Sequence, residues 1–227
     1  MFDVSSFLNV FPSIMSGFGV TVFLAVLSLC LGCVLAMVIV VFRVKRIPVV
    51  SQLARVVISF SRSVPLIVTL YVLYYGLPSL FPALFLTGVS GNFVAVLALG
   101  IFAGGYLAET FRSSYEAVPV GQTEAARTVG LNQWQTLYHV VIPQTVCSCI
   151  PNFTSTAIDI IKGTAIVYNI SIFEIMGQAI KVGSKGYRFI EAFTAAWVIY
   201  LVFAFFVYYG LARIEKRISR KYGLVKA

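Results

Sequence analysis

Charge is scarce in this 227-residue chain: Asp, Glu, Lys and Arg make up only 11% of it, and 8 residues are acidic. Histidine is rarer still, with His139 alone. A GxxxxGK run followed by Ser or Thr is missing, so there is no phosphate-cradling loop of that kind to bind ATP. The shortage of charge excludes an ordinary soluble domain. Hydrophobic residues fill 59% of positions and the mean hydropathy is +0.94, more apolar surface than one soluble core of this length buries. The chain belongs in a bilayer. Its net charge of +9 does not point to nucleic acid, because the basic residues sit in short clusters beside apolar runs, where positive charge sets membrane orientation. Cys30 and Cys33 have CxxC spacing but lie in an apolar run without nearby His or charge, and Cys147 and Cys149 are similarly placed. All four read as buried thiols rather than a metal or redox site.

A helix needs about 20 apolar residues to cross a hydrocarbon core. Five segments come near this, at 14–42, 63–80, 92–110, 146–170 and 190–212. The expected organisation is an N-terminal segment 1–13, one transmembrane domain 14–212 with a polar loop at 111–145, and a basic tail 213–227. Segment 1–13 carries Asp3 but no Lys or Arg, so it lacks the basic region of a cleavable signal and the first span is expected to remain. Arg43, Lys45, Arg46, Arg55 and Arg62 lie between spans one and two, Arg112 and Arg127 between three and four, and six basic residues follow span five. These segments fall on one side of a five-span chain, which the positive-inside rule makes cytoplasmic. The N-terminus is then outside, the C-terminus inside, and the loop inside. Segment 77–91, broken by Pro78, Pro82 and two glycines, reads as an outer interfacial turn. Tyr71, Tyr74 and Tyr75 are at helical spacing, as packing or interface anchors are.

The stretch Glu124 to Pro143, EAARTVGLNQWQTLYHVVIP, is a polar, helix-prone island between apolar runs. Pro119 is placed to open a helix, and Gly130 to end it in a left-handed conformation. Asn132, with Gln135 three positions on, is placed to cap a second helix. Trp134, Leu137, Tyr138 and Val141 then share one face until Pro143 ends the run. The pattern predicts two short helices forming a rigid elbow. On periodicity alone it also fits an amphipathic segment lying on the inner leaflet, with Glu124 and Arg127 as an exposed i,i+3 pair.

The loop resembles the signature of permease subunits of ATP-binding-cassette importers: EAA, three residues, Gly, nine residues, then Ile, any residue, Leu-Pro. Here EAA is 124–126, Gly is 130, and the run closes with Val140, Val141, Ile142 and Pro143. SRSVPLIVTLYVLYYGLP at 61–78 and AGGYLAETFRSSYEAVPVGQTEAA at 103–126 are similar to stretches of the permeases for polar amino acids, the histidine, glutamine and cystine group, although Ser63 and Val64 replace that group's Gly-Thr. The resemblance implies an all-α integral membrane protein with the five-helix core of a type I importer permease. It also implies a coupling helix at Gln122, Glu124, Ala125, Ala126, Arg127, Gly130 and Leu131 that docks on an ATPase. Further implied are two separate ATPase subunits carrying ATP and Mg, a second permease copy or paralogue, an extracytoplasmic binding protein, and a place in the bacterial cytoplasmic (inner) membrane. No cofactor is implied for this chain.

Charged groups at mid-bilayer are costly and usually face a bundle interior or a water-filled path. Asp159 and Lys162, three residues apart in span four, share a face with Ser155 and, a turn on, Ile166. Such a face offers an acceptor for an amino-acid ammonium and a donor for its carboxylate; equally, the two side chains neutralise each other. The resembling permeases commonly read Lys-Asp-Thr-Ser-Leu here, whereas this chain has Lys162, Gly163, Thr164, Ala165 and Ile166. Asp159, one turn earlier, is then the replacement for the missing acid. Glu109, three residues before Arg112, is a lesser substrate-path candidate and otherwise half of an ion pair. Two other classes compete. A secondary transporter or channel explains the spans and buried charges but leaves the loop without purpose. An intramembrane serine protease is suggested by GxSG at 88–91, but Ser90 lies on the outer side and His139 on the inner, about 30 Å of hydrocarbon apart.

Overall fold

The computed structural model describes residues 2–44, 48–82 and 90–222, and these form helices connected by short turns, with no strand among them. In chain order the helices are α1 (Val4–Met15), α2 (Phe18–Val44), α3 (Pro48–Ser63), α4 (Leu66–Leu80), α5 (Gly91–Glu116), α6 (Val120–Thr128), α7 (Gln133–Ile170), α8 (Ile175–Gly186) and α9 (Phe189–Lys221). Helices α2, α5 and α9 are each long and apolar enough to cross a membrane. At about 1.5 Å per residue even the 26 residues of α5 outreach a hydrocarbon core of about 30 Å. The pairs α3 with α4, bent by 106°, and α7 with α8, bent by 50°, bring the number of spans to five when each counts as one.

Helix α5 is the axis of the fold, with α2, α3, α4 and α7 laid against it. Leu24, Leu70, Ala98, Leu99, Ala103, Leu107, Ile160 and Val167 form the main core. In a bilayer there is no water to drive apolar faces together, so close helix approach depends on small residues. Gly32 on α2 faces Ala103 on α5, and a Cβ there would lie 2.6 Å from the Cβ of Ala103. Gly32→Leu is therefore expected to lower the unfolding temperature of the detergent-purified protein, by overpacking of about 1–3 kcal/mol or more. Gly19→Leu on the same helix, where a Cβ meets nothing within 4 Å, is the control expected to leave it unchanged.

A satellite core of Ile14, Ile175, Ala179, Ala192, Ala195, Ala196 and Ile199 holds α1 and α8 against α9. The N-terminal segment 1–13 is thus mostly helix, and the backbone N–H of Asp3 donates to Glu191 at 3.0 Å. The Asp3 carboxyl accepts hydrogen bonds from Ser6 and Ser5, which hold it down at about 2, and it pairs with Arg188 at 3.2 Å. That contact is charged above its lowered pKa and is lost only as pH falls through about 2.

Three features depart from the sequence expectation. The basic stretch between spans one and two contains a further helix, α3, ended by Pro65, whose ring disfavours the helical region for Val64. Secondly, Pro143 does not end the second loop helix; α7 runs from Gln133 straight through it, so the expected short helix is the first part of span four. Proline lacks an N–H and its ring collides with the carbonyl four residues back. The chain answers with a π turn at Leu137–Val141, whose wider loop moves the His139 carbonyl aside. The π turn at Val72–Gly76 stands in the same relation to Pro78. Thirdly, the wider turn splits the expected Trp134, Leu137, Tyr138 and Val141 face: Trp134 and Tyr138 stack in the open, while Leu137 is half-buried and Val141 buried. Of the expected outer turn at 77–91, residues 83–89 lie outside the described residues.

Candidate functional site

The coupling-loop candidate is built by two caps in series. Pro119, extended at φ −60° and ψ 136°, opens α6. At its other end Gly130 adopts φ +86°, a conformation glycine reaches at little cost. There the Gly130 N–H donates to Arg127 O at 3.0 Å and the Leu131 N–H to Ala126 O at 3.1 Å, the paired bonds of a Schellman turn. Two residues later Asn132 begins α7 with a capping box. Its side chain accepts from the Gln135 N–H, and the Gln135 side chain accepts from the Asn132 N–H, both at 2.9 Å. Residues 129–132 are thus fixed by four hydrogen bonds. A fifth, from Gln144 to Gln122 at 3.3 Å, ties α6 back to α7 beyond the π turn.

Ala126 is buried at 6% exposure, and it alone of the EAA triplet faces inward. Glu124, Ala125 and Arg127 are exposed, and Glu124 and Arg127 form no ion pair with each other within 4.0 Å. Around them Val120, Val129, Trp134 and Tyr138 are exposed at 72%, 77%, 70% and 62%. The segment is polar, yet these four side chains leave a cluster of apolar surface uncovered around it.

The second candidate lies along α7. Ser148, Asn152, Ser155, Asp159 and Lys162 are all exposed, at alternating spacings of four and three that keep them in one stripe, and Asn169 is exposed seven residues further on. Between them Cys149, Ile150, Thr154, Ala157, Ile160 and Ile161 face the core. The Lys162 ammonium sits 2.8 Å from the Asp159 carboxylate, with the two side chains 62% and 51% exposed. Facing lipid, such a stripe would leave polar groups unsatisfied at a cost no helix surface repays; facing a wet cleft, it is hydrated. Ser155 belongs to the stripe, its hydroxyl donating to Pro151 O at 3.3 Å. Thr164 does not: it is fully buried and donates to Ile161 O at 2.7 Å, because it lies two residues past Lys162 and so on another side of the helix. Glu109 is likewise away from the stripe. It accepts from Arg43 at 2.8 Å and from Arg112, tying the end of α2 to the end of α5. Arg112 is a helical neighbour visible in the sequence, but Arg43 is 66 residues away and has no local signal.

Two buried acids escaped sequence reasoning, Glu191, which accepts from Asp3, and Glu174. Glu174, fully buried, caps α8 by accepting from the Gly177 N–H at 2.8 Å and also accepts from Tyr200 of α9 at 2.5 Å and Thr21 of α2 at 3.5 Å. Its signal was its place directly before an apolar helical run. Gly17 lets α2 approach this knot, since a Cβ there would lie 2.5 Å from the Glu174 backbone carbon. The serine-protease pairing has no geometry. Ser90 caps the first turn of α5, and His139 lies in the π turn beyond the far end of that helix, roughly 39 Å along it. The four cysteines are free thiols.

Comparison with known proteins matches residues 28–220 to the family described as the inner membrane component of binding-protein-dependent transport systems. The chain is 34% identical to a probable amino-acid ABC transporter permease, PatM, of Vibrio harveyi, over 88% of each chain. It is 35% identical to the octopine transport system permease OccM of Rhizobium radiobacter, over 91% of this chain and 86% of that one. To the L-cystine transport system permease TcyL of Bacillus subtilis it is 29% identical, over 96% and 92%. Among solved structures it resembles an amino acid ABC transporter with histidines, at TM-score 0.84 and 28% identity over 96% of this chain and 99% of that one. The inward-facing MetNI methionine ABC transporter shares the fold at TM-score 0.74 and 17% identity, over 91% and 96%. A type I importer fold, an exposed helix closed by Gly130 and a match covering most of its length place one conclusion beyond dispute: this chain belongs to the family of inner-membrane components of binding-protein-dependent transport systems.

Proposed function

We propose that this chain is the membrane-spanning half of an ATP-driven importer for a polar amino acid or cystine, working with a second permease copy or paralogue, two ATPase subunits and an extracytoplasmic binding protein. The observation that carries this reading is α6, a short helix closed at Gly130 and flanked by exposed apolar side chains, Val120 at its start, Val129 just past its end and Trp134 and Tyr138 on the adjoining α7, which is the form of a lever that an outside subunit grips. ATP and Mg belong to the ATPase subunits. The names of the amino-acid, octopine and L-cystine relatives support the substrate class.

Orientation follows the charges. The contact of Arg43 with Glu109 puts the ends of α2 and α5 together, and the positive-inside rule assigns that end, with α6 and the basic tail, to the cytoplasm. Asp3 and Arg188 then lie outside. The membrane is the bacterial inner membrane. ATP-driven closure of the ATPase pair brings two α6 helices together, the paired spans reorient, and the cleft opens to a loaded binding protein; hydrolysis returns it inward. Within the cleft the α7 stripe meets the substrate: Asp159 takes the place of the acid absent at Gly163 and holds the ammonium, and Lys162 the carboxylate. Glu109 clamps helix ends and Thr164 braces α7 from behind.

Reconstitution tests the reading. With the purified complex in vesicles, uptake is expected only when ATP is on the α6 side and binding protein on the other. Uptake driven by an ion gradient without ATP would make the chain a secondary transporter instead.

A further inference from the structure

Helix α3 is divided lengthwise into three stripes. Ala54, Ile58 and Ser61 are buried; Leu53, Val56, Val57 and Phe60 are exposed and apolar; Gln52, Arg55, Ser59 and Arg62 are exposed and polar. The chain turns by 106° from α3 into α4, so if α4 crosses the membrane, α3 runs close to the membrane plane. An exposed apolar stripe beside an exposed arginine stripe, on a helix so oriented, is the arrangement of a helix at the lipid–water boundary.

Beside the polar stripe opens a cavity of about 450 Å³, lined by Arg43, Arg55, Ser59, Arg62, Tyr106 and Glu109. Three guanidinium groups face one carboxylate, and that carboxylate is already engaged by Arg43 and by Arg112. Arg62 rests on the Tyr106 ring at 5.2 Å from its centre, which holds the side chain in place without neutralising it. Among the described residues neither Arg55 nor Arg62 has a carboxylate within 4.0 Å. The pocket therefore holds unbalanced positive charge in a geometry of fork-like donors suited to an oxyanion with several acceptor oxygens.

We propose that this pocket binds the phosphate headgroup of an anionic phospholipid, with Arg55 and Arg62 as the headgroup ligands and Leu53, Val56, Val57 and Phe60 against its acyl chains. The pocket accounts for the charge of the ligand and the adjoining apolar stripe for its being a lipid; a soluble anion would need only the first. No residue of α6 or of the α7 stripe lines the pocket, so the site is separate from both.

Native mass spectrometry of the assembled transporter, titrated with dioleoyl phosphatidylglycerol or dioleoyl phosphatidylcholine, tests this. The wild-type complex is expected to retain at least tenfold more phosphatidylglycerol than phosphatidylcholine. Arg55→Gln is expected to cut that preference at least threefold, and Arg55→Gln with Arg62→Gln to abolish it. The pair Arg213→Gln and Arg217→Gln in the basic tail is expected to leave it intact. Unchanged retention in Arg55→Gln would overturn the proposal, as would equal loss in the tail variant, which would mean diffuse charge. Displacement of the lipid by millimolar inorganic phosphate would identify a free-anion site, and loss of the ATPase subunits from Arg55→Gln with lipid retained would identify a protein contact; either overturns it.

Discussion

Gly130→Pro is expected to abolish ATP-driven uptake, by at least 100-fold, in a transporter that still inserts in the membrane. Proline is confined to φ near about −65°, whereas Gly130 sits at +86°, and the substitution also removes the N–H that donates to Arg127 O. The Schellman turn cannot close, and the angle between α6 and the start of α7 is lost with it. Phenylalanine at Ala125 and Ala126 is expected to act similarly, since Ala126 is the buried residue of α6, at 6% exposure, and a larger side chain there overpacks the contact. Gly130→Ala is milder, because a left-handed alanine costs only about 1–2 kcal/mol. Insertion survives in each case because the main core, drawn chiefly from α2, α3, α4, α5 and α7, contains no residue of α6. The checks are uptake into vesicles and ATP hydrolysis by the same preparation. Undiminished uptake in correctly assembled variants would refute the lever.

Asp159→Ala comes second in size, with uptake expected to fall at least tenfold. Removing the carboxylate takes away the proposed ammonium acceptor and leaves Lys162 without its partner at 2.8 Å. The two causes separate in the double variant Asp159→Ala with Lys162→Ala. If the residues only neutralise each other, the double variant regains wild-type uptake. If they hold the two ends of the substrate, it stays as low as the single variant, and the affinity for the amino acid falls with it. Wild-type uptake in Asp159→Ala would remove the residue from the substrate path.

Much of this arrangement is written in local sequence. Apolar runs of about 20 residues place the spans, and the caps at Pro119, Gly130 and Asn132 are legible because a cap is decided by a residue's own backbone preferences and hydrogen bonds to near neighbours. What was not legible depends on partners distant along the chain or on competition between local rules. The α3 periodicity, with apolar residues at 53, 56, 57 and 60, was present, but its basic residues read as a loop charge signal and hid the helix. Pro143 reads as a helix end until its cost is weighed against breaking span four in a membrane, where a π turn is cheaper than unsatisfied backbone. The Arg43–Glu109 pair and the Glu174 knot join residues 66 and 26 or more positions apart, so no window of sequence contains them. Within the α7 stripe, spacing assigned Ser155, Asp159 and Lys162 to one face; the direction of that face required the packing of α7 against α5 and α9.

The most direct test of the account is a chemical cross-link from α6. Val129, 77% exposed beside Gly130, and Tyr187, 90% exposed at the end of α8, mark the two ends of the molecule as oriented above. In the assembled complex with its native cysteines replaced, Val129→Cys is expected to cross-link to the ATPase subunit, with a yield that changes on adding ATP, and Tyr187→Cys to cross-link only to the binding protein. An ATPase adduct from Tyr187→Cys, or none from Val129→Cys in a complex that hydrolyses ATP, would contradict the claim that α6 receives the work.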